Sequence, residues 1–244
     1  KTKTKTSLST SSTPSPIQYP IPTENGYLIY GDAADSLTNQ RDVKLRMMGG
    51  SDTIQIIGGK NNFVNGNLGD DQFVVLDAQA SDFLGGKGRD VFNVNGGSDN
   101  TFKGQLGQDV FRVTAGKNNI LGGDDNDTIE VLGAAFGTSV NGNRGNDFIT
   151  GVVAGVTYRG GKDDDLLAVS QGDVWGDLGV DTFQGVSGDG YAVVRDYTVG
   201  EDKIDLSMGG SWKAVEDGLM FTDNSGDQIM LLVGIDASDQ LSLV

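Results

Sequence analysis

Large apolar residues recur along the chain at Leu37, Ile54, Phe73, Phe92, Phe111, Ile129, Ile149, Leu167 and Phe183. Each stands two residues after an Asp, and successive Asp residues lie 17, 19, 19, 19, 18, 20, 18 and 16 positions apart. A second apolar series, Leu45, Val64, Phe83, Phe102, Ile120, Val140, Tyr158 and Val174, runs out of step with the first, each member nine residues before the next Asp-linked one. Side chains alternate across a strand, so short strands centred on these residues point both series inward from two facing sheets. The pattern predicts an all-β chain: a right-handed parallel β-roll or β-solenoid, each coil stacking on the last, with a C-terminal antiparallel capping region.

The strands after each Asp run longer than three residues. Ile54/Ile56, Phe73/Val75, Phe92/Val94, Phe111/Val113 and Ile129/Val131 all alternate with period two. These apolar positions are assigned to core packing. Tyr27-Leu28-Ile29-Tyr30 is the expected first strand. Near the end, Gly218 to Thr222, the turn Asp223-Asn224-Ser225-Gly226 and Gln228 to Val233 predict a hairpin. An open roll end exposes unpaired strands and apolar surface, so a cap is required there. Three regions follow: 1–23, a Ser/Thr/Pro-rich linker holding all four prolines; 24–190, the roll; and 191–244, the cap.

Composition narrows the chemistry. The formal charge is −16, from 18 basic and 34 acidic residues, which argues against nucleic acid as a partner. With no Cys and no His, disulfides, thiolate metal sites, His-ligated zinc and His-based catalytic triads are excluded. No apolar run approaches the roughly 18 residues of a membrane span. The chain begins without Met and without an apolar signal-peptide core, so its start is expected to be a fragment boundary.

Chemistry is expected in the turns. Gly85-Gly86-Lys87-Gly88-Arg89-Asp90-Val91-Phe92-Asn93 reads G-G-x-G-x-D-x-U-x, with U a large apolar residue, and degenerate copies surround it. Turn formation explains the glycines but not an Asp fixed at the sixth position. Stacked coils place those carboxylates in a column at the strand spacing of about 5 Å, where like charges repel. A hard cation with oxygen ligands removes the conflict, and flexible coordination favours Ca²⁺ over Mg²⁺.

From about residue 31 to residue 244 the chain resembles the RTX family of secreted calcium-binding proteins, whose repeat is this nonapeptide. The resemblance implies Ca²⁺ held between loops of successive coils by the sixth-position Asp and by carbonyls of the Gly-rich turn. Carried over, the carboxylate ligands are Asp71, Asp90, Asp109, Asp127, Asp147, Asp165 and Asp181, with Asp52 as a first member whose loop lacks two glycines. The turn glycines are Gly69, Gly86, Gly88, Gly107, Gly123, Gly145, Gly161 and Gly179. Asp125 and Asp163 stand at the fourth position, where Gly is usual, and read either as further ligands or as solvated acidic tips. The opposite edge departs from the family, with Asn62, Asn100 and Asn118 where Asp is expected. A one-edged calcium column follows, with the Asn side chains bonding turn backbone instead. Residues 191–207 are similar to the closing segment of serralysin-type proteins in Arg195-Asp196-Tyr197 and in Gly200 with Asp202 to Ser207. That similarity implies an uncleaved C-terminal signal for type I secretion.

The expected function is that of a non-catalytic, secreted or extracellular calcium module with a structural or adhesive role at the cell surface. Its expected partners are calcium ions, further copies of itself or a cell-surface polysaccharide. The alternative is an accessory module of a secreted protease, lipase or polysaccharide-modifying enzyme. No H-E-x-x-H or G-x-S-x-G motif is present. The residues following each loop Asp form no flat Thr or Asn ladder of the kind an ice-binding solenoid needs.

Overall fold

The computed structural model describes residues 20–244. Among them there is no helix, and so none long and apolar enough to cross a membrane. The architecture is a parallel β-solenoid. Strands of the first series pair in sequence order with like residues opposite: Ile54 with Phe73, Phe73 with Phe92, Phe92 with Phe111, and Phe111 with Ile129. The second series does the same, with Val64 against Phe83, Phe83 against Phe102 and Phe102 against Ile120. Register is fixed because a slip of one residue would turn every inward side chain to solvent.

Both series meet in a dry core. Phe73 and Phe92 stack at 4.5 Å between ring centroids, and Phe92 and Phe111 at 4.7 Å. Phe92 also meets Phe102 of the facing sheet edge-on at 6.1 Å. A third inward series, Ile56, Val75, Val94, Val113, Val131 and Val169, is interrupted by Gly151. The break compensates for the largest core residue, since a Cβ on Gly151 would overlap the Tyr158 hydroxyl.

Three features differ from the sequence expectation. Ile21–Pro22 forms an antiparallel pair with Leu28–Ile29, so the expected linker 1–23 ends earlier; its residues 1–19 lie outside the described region. The cause is local. Gly26 takes φ +75°, its N–H bonds the Thr23 carbonyl at 3.0 Å, and the chain turns back. Second, strands Val91–Leu106 and Val110–Asp124 run unbroken through the Asn-bearing edge, where a turn was expected. The backbone ladder there continues across register shifts. Third, parallel stacking continues past residue 190, the expected end of the roll. Phe183 pairs with Ile204 in Lys203–Asp205, and Val174 pairs with Val194.

The predicted hairpin is present as Gly218–Asp223 with Gln228–Val233, joined by a third antiparallel strand, Gly210–Val215. Its Gln228–Val233 strand also pairs parallel to Ala192–Val194, so the cap grows out of the second sheet. The first sheet ends against the chain terminus, where Ile204 donates its N–H to Ser242 and accepts that of Val244.

Candidate metal centre

Each Asp-bearing loop ends at the start of a first-sheet strand, so the stacking of those strands sets the carboxylates in line. Asp52, Asp71, Asp90, Asp109, Asp127, Asp147, Asp165 and Asp181 are all at most 2% exposed. Within the column one carboxylate oxygen has a fixed task. Oδ1 of each Asp accepts the backbone N–H of the Asp one coil earlier: Asp71 from Asp52, Asp90 from Asp71 and Asp109 from Asp90, each at 2.8 Å. The chain of bonds continues to Asp181.

The other oxygen is left over. Oδ2 of Asp52, Asp71, Asp90, Asp109, Asp127, Asp147 and Asp165 is buried and has no hydrogen-bond partner. From Asp71 onward it lies against the first glycine of its own loop. A Cβ on Gly66, Gly85, Gly104, Gly122, Gly142 or Gly160 would overlap the Oδ2 of Asp71, Asp90, Asp109, Asp127, Asp147 or Asp165 respectively. The same hypothetical Cβ would meet a carbonyl of the next coil, such as Gly104 O above Gly85. Buried carboxylate oxygen and peptide carbonyl thus share a cradle that only glycine leaves open. Asp52 departs from the rest, because Met47 stands at the glycine position of its loop.

Burial is the leading cause of high carboxyl pKa values here. It raises Asp71, Asp90, Asp109 and Asp147 to about 7, Asp165 to about 8, Asp127 to about 9 and Asp181 to about 6. The Oδ1 hydrogen bonds oppose the shift, and the charges of neighbouring acidic residues add to it. Asp52 is raised for the same leading reason. A column of this kind is uncomfortable at neutral pH unless protons or a cation neutralise it.

The turn glycines lie on the same edge. Gly69, Gly86, Gly88, Gly107, Gly123, Gly145, Gly161 and Gly179 all have positive φ. Gly88 shows why: a Cβ there would strike the Gly69 carbonyl of the preceding coil. Carbonyls therefore stack beside the carboxylates. Asp125 and Asp163 adopt φ +78° and +76° at the fourth position, a conformation Asp tolerates better than most residues. Both are exposed, and their Oδ2 atoms accept the N–H of Gly107 and Gly145 at 3.2 Å. They are thus backbone acceptors that also add charge beside Asp109 and Asp147. Among the described residues no three acidic side chains converge on one point. A bound cation would draw its remaining ligands from the carbonyls.

On the opposite edge Asn62, Asn100 and Asn118 are buried and bond as a ladder. Asn100 Oδ1 accepts the Ser81 N–H at 3.1 Å, while its Nδ2 donates to Ala78 O at 2.7 Å and to Asn118 Oδ1 at 2.9 Å. Ser81 and Thr138 fill the intervening places: Ser81 Oγ accepts from Asn62 and Thr138 Oγ1 from Asn118. Asn, Ser and Thr were not equated in the sequence pattern, although each sits one period from the next. Asp202 was also missed as a column member, though Asp202-Lys203-Ile204 repeats the Asp-x-apolar signal. Both its oxygens are engaged, Oδ1 by Asp181 N–H at 3.0 Å and Oδ2 by Thr198 N–H at 2.7 Å. It closes the column instead of extending the row of free oxygens.

No protein-family model and no curated protein matches the chain. Among solved structures it is similar to the extracellular lipase LipA from Serratia marcescens, at 17% identity and a TM-score of 0.26. The match covers 84% of this chain and 40% of the lipase, so the chain spans less than half of that protein's length.

Proposed function

We propose that this chain is an RTX-type calcium-binding β-roll module of a secreted protein. It folds when calcium fills its Asp edge and serves a structural or adhesive role at the cell surface. The observation that carries this reading is the row of seven buried Asp Oδ2 atoms without partners. An orphaned buried carboxylate oxygen costs several kcal/mol if ionised, and the cost recurs in successive coils. The donor set is hard oxygen throughout, which suits Ca²⁺. Calcium would supply the positive charge that lets these carboxylates ionise in place.

The chain's own residues do the rest. Glycines at the first loop position leave room beside Oδ2, the Oδ1 bonds hold each carboxylate at fixed height, and the stacked carbonyls offer neutral ligands. Dissociation constants of extracellular calcium sites run to about 10⁻⁴ M, so at about 1 mM Ca²⁺ each site adds roughly 1.4 kcal/mol. Six or seven independent sites sum to about 8 to 10 kcal/mol, comparable to the whole stability of a typical domain. The roll is therefore expected to be unfolded where free calcium is low and to fold after export. On this reading the chain performs no catalytic step of its own. Its partners are calcium and either further copies or a surface polysaccharide.

Circular dichroism across a calcium titration, with native mass spectrometry of bound metal, tests the proposal. Strand signal and a cooperative melt should appear together with bound Ca²⁺. A melt that persists unchanged in excess chelator would refute it.

A further inference from the structure

Outside the Asp edge, the most distinctive surface is the outward face of the second sheet. Arg46, Lys103 and Arg159 stand in one outward column, three coils apart at each step. Three coils correspond to about 14 Å at the strand spacing. Arg195 closes the column beyond Trp175, its N–H bonded to Val174 O at 2.9 Å. Asn65 and Asn141 lie between the cations in the same column. Lys87 and Lys162 flank it at the loop margin.

Each end of the face carries a guanidinium set on aromatic rings. Arg46 lies 4.6 Å from the Tyr27 ring centroid and 5.9 Å from that of Phe63. Arg159 lies 4.7 Å from the Trp175 ring. Of the carboxylates on this face, Asp177 pairs with Arg159 and Asp173 with Arg195, both at 2.5 Å, Asp124 meets Arg144 at 3.8 Å, and, among the described residues, exposed Asp82 pairs with no cation. Among the described residues, Lys87, Lys103 and Lys162 have no carboxylate within ion-pair distance. The facing sheet has no such column: Arg112 is held by Glu130 at 3.0 Å. In a chain of net charge −16, cations are thus gathered on one face.

We infer that this face docks an acidic polysaccharide laid across the strands, its carboxylates on Lys87, Lys103 and Lys162 and its sugar rings against the aromatic ends and amides. The inference deepens the surface-module reading and rests on it. Guanidinium groups recognise carboxylates through paired N–H donors, and flat rings with amides suit sugar faces and hydroxyls. A single nucleic-acid strand carries one charge about every 3.4 Å, far denser than this column.

Calorimetric titration of the full chain with hyaluronan, dextran and single-stranded DNA in excess calcium tests the inference. Hyaluronan should bind, weaken with added salt, and exceed both other polymers. Lys103→Glu with Lys162→Glu should weaken it about tenfold. Lys117→Glu with Lys213→Glu, the same charge change elsewhere, should leave it within about twofold. If the first pair fails to fold, Lys103→Gln with Lys162→Gln makes the same comparison with a smaller loss. Equal losses from both pairs, tighter DNA binding, equal dextran binding, or no hyaluronan binding by a chain with intact strand signal would each overturn it. A chelator arm followed by circular dichroism reports on the calcium reading separately. Strand signal that survives chelation refutes that reading while the docking comparison still stands.

Discussion

Asp127 holds Asp109 from the next coil: its Oδ1 accepts the Asp109 backbone N–H at 2.8 Å, while its Oδ2 is buried beside Gly122 with no partner. The two oxygens of one carboxylate thus have different jobs. One is a structural acceptor for the neighbouring coil, and the other is left without a partner.

Asp109→Asn keeps the structural acceptor and replaces the free oxygen with an amide that can donate to a nearby carbonyl. In chelator, where the parent chain is expected to be unfolded near neutral pH, this variant should need less acid to recover strand signal, because a buried charge is gone. In calcium it should lose one site, roughly 1.4 kcal/mol. Acid titration in chelator and thermal melts in calcium measure the reversal. A variant less stable than the parent in both conditions would show that Oδ2 is not the calcium-facing atom.

Gly85→Ala places a methyl group where Asp90 Oδ2 and the Gly104 carbonyl lie. Overpacking of this kind costs about 1 to 3 kcal/mol, and here it should also raise the calcium midpoint of folding. Alanine at Gly200, where nothing lies within 4 Å of the added carbon, should raise the calcium midpoint far less, by only the strain from φ +86°. Calcium titrations of both variants give the comparison.

Asn100→Leu removes a ladder member that donates two hydrogen bonds and accepts one. The fold should lose about 2 kcal/mol or more, because buried backbone groups are left unpaired. The number of bound calcium ions should not change. Native mass spectrometry against thermal stability tests the split, and loss of an ion from this variant would mean that the Asn edge also binds metal.

Acidity should substitute in part for calcium. From Asp71 to Asp181 the column carboxyls rise from 3.8 to between about 6 and about 9 in the folded chain, and Asp52 and Asp202 are raised as well. A group with a raised folded pKa contributes stability that is fully present below its unfolded value and is lost as pH rises through its folded value. In chelator strand signal should therefore be strongest at or below about pH 4 and be lost as pH rises toward 9. In saturating calcium that decline should vanish, since the cation needs the ionised form. Melting curves across this range, with and without chelator, decide the point.

The sequence alone determined the coil. In a stacked solenoid, residue i meets residue i+19 or its near equivalent, so Phe73 stacks on Phe92 and Asp90 follows Asp71 as a direct consequence of spacing. Ladder identity, inward faces, the column of carboxylates and the closing hairpin were all legible for that reason. Tertiary structure decided what each polar group does once stacked. It divided seven of the column carboxylates, from Asp52 to Asp165, between a bonded and a free oxygen, which depends on the backbone of the neighbouring coil. It let Ser81 and Thr138 serve in a ladder read only from Asn, because any short side-chain oxygen at that height reaches the same N–H. It also brought Asp202 into the column after an interval of 21 residues, longer than any earlier spacing, because the strand that follows it still docks on Phe183. Periodicity records which residues meet. The direction of each hydrogen bond, and the oxygen left without one, exist only when the next coil is in place.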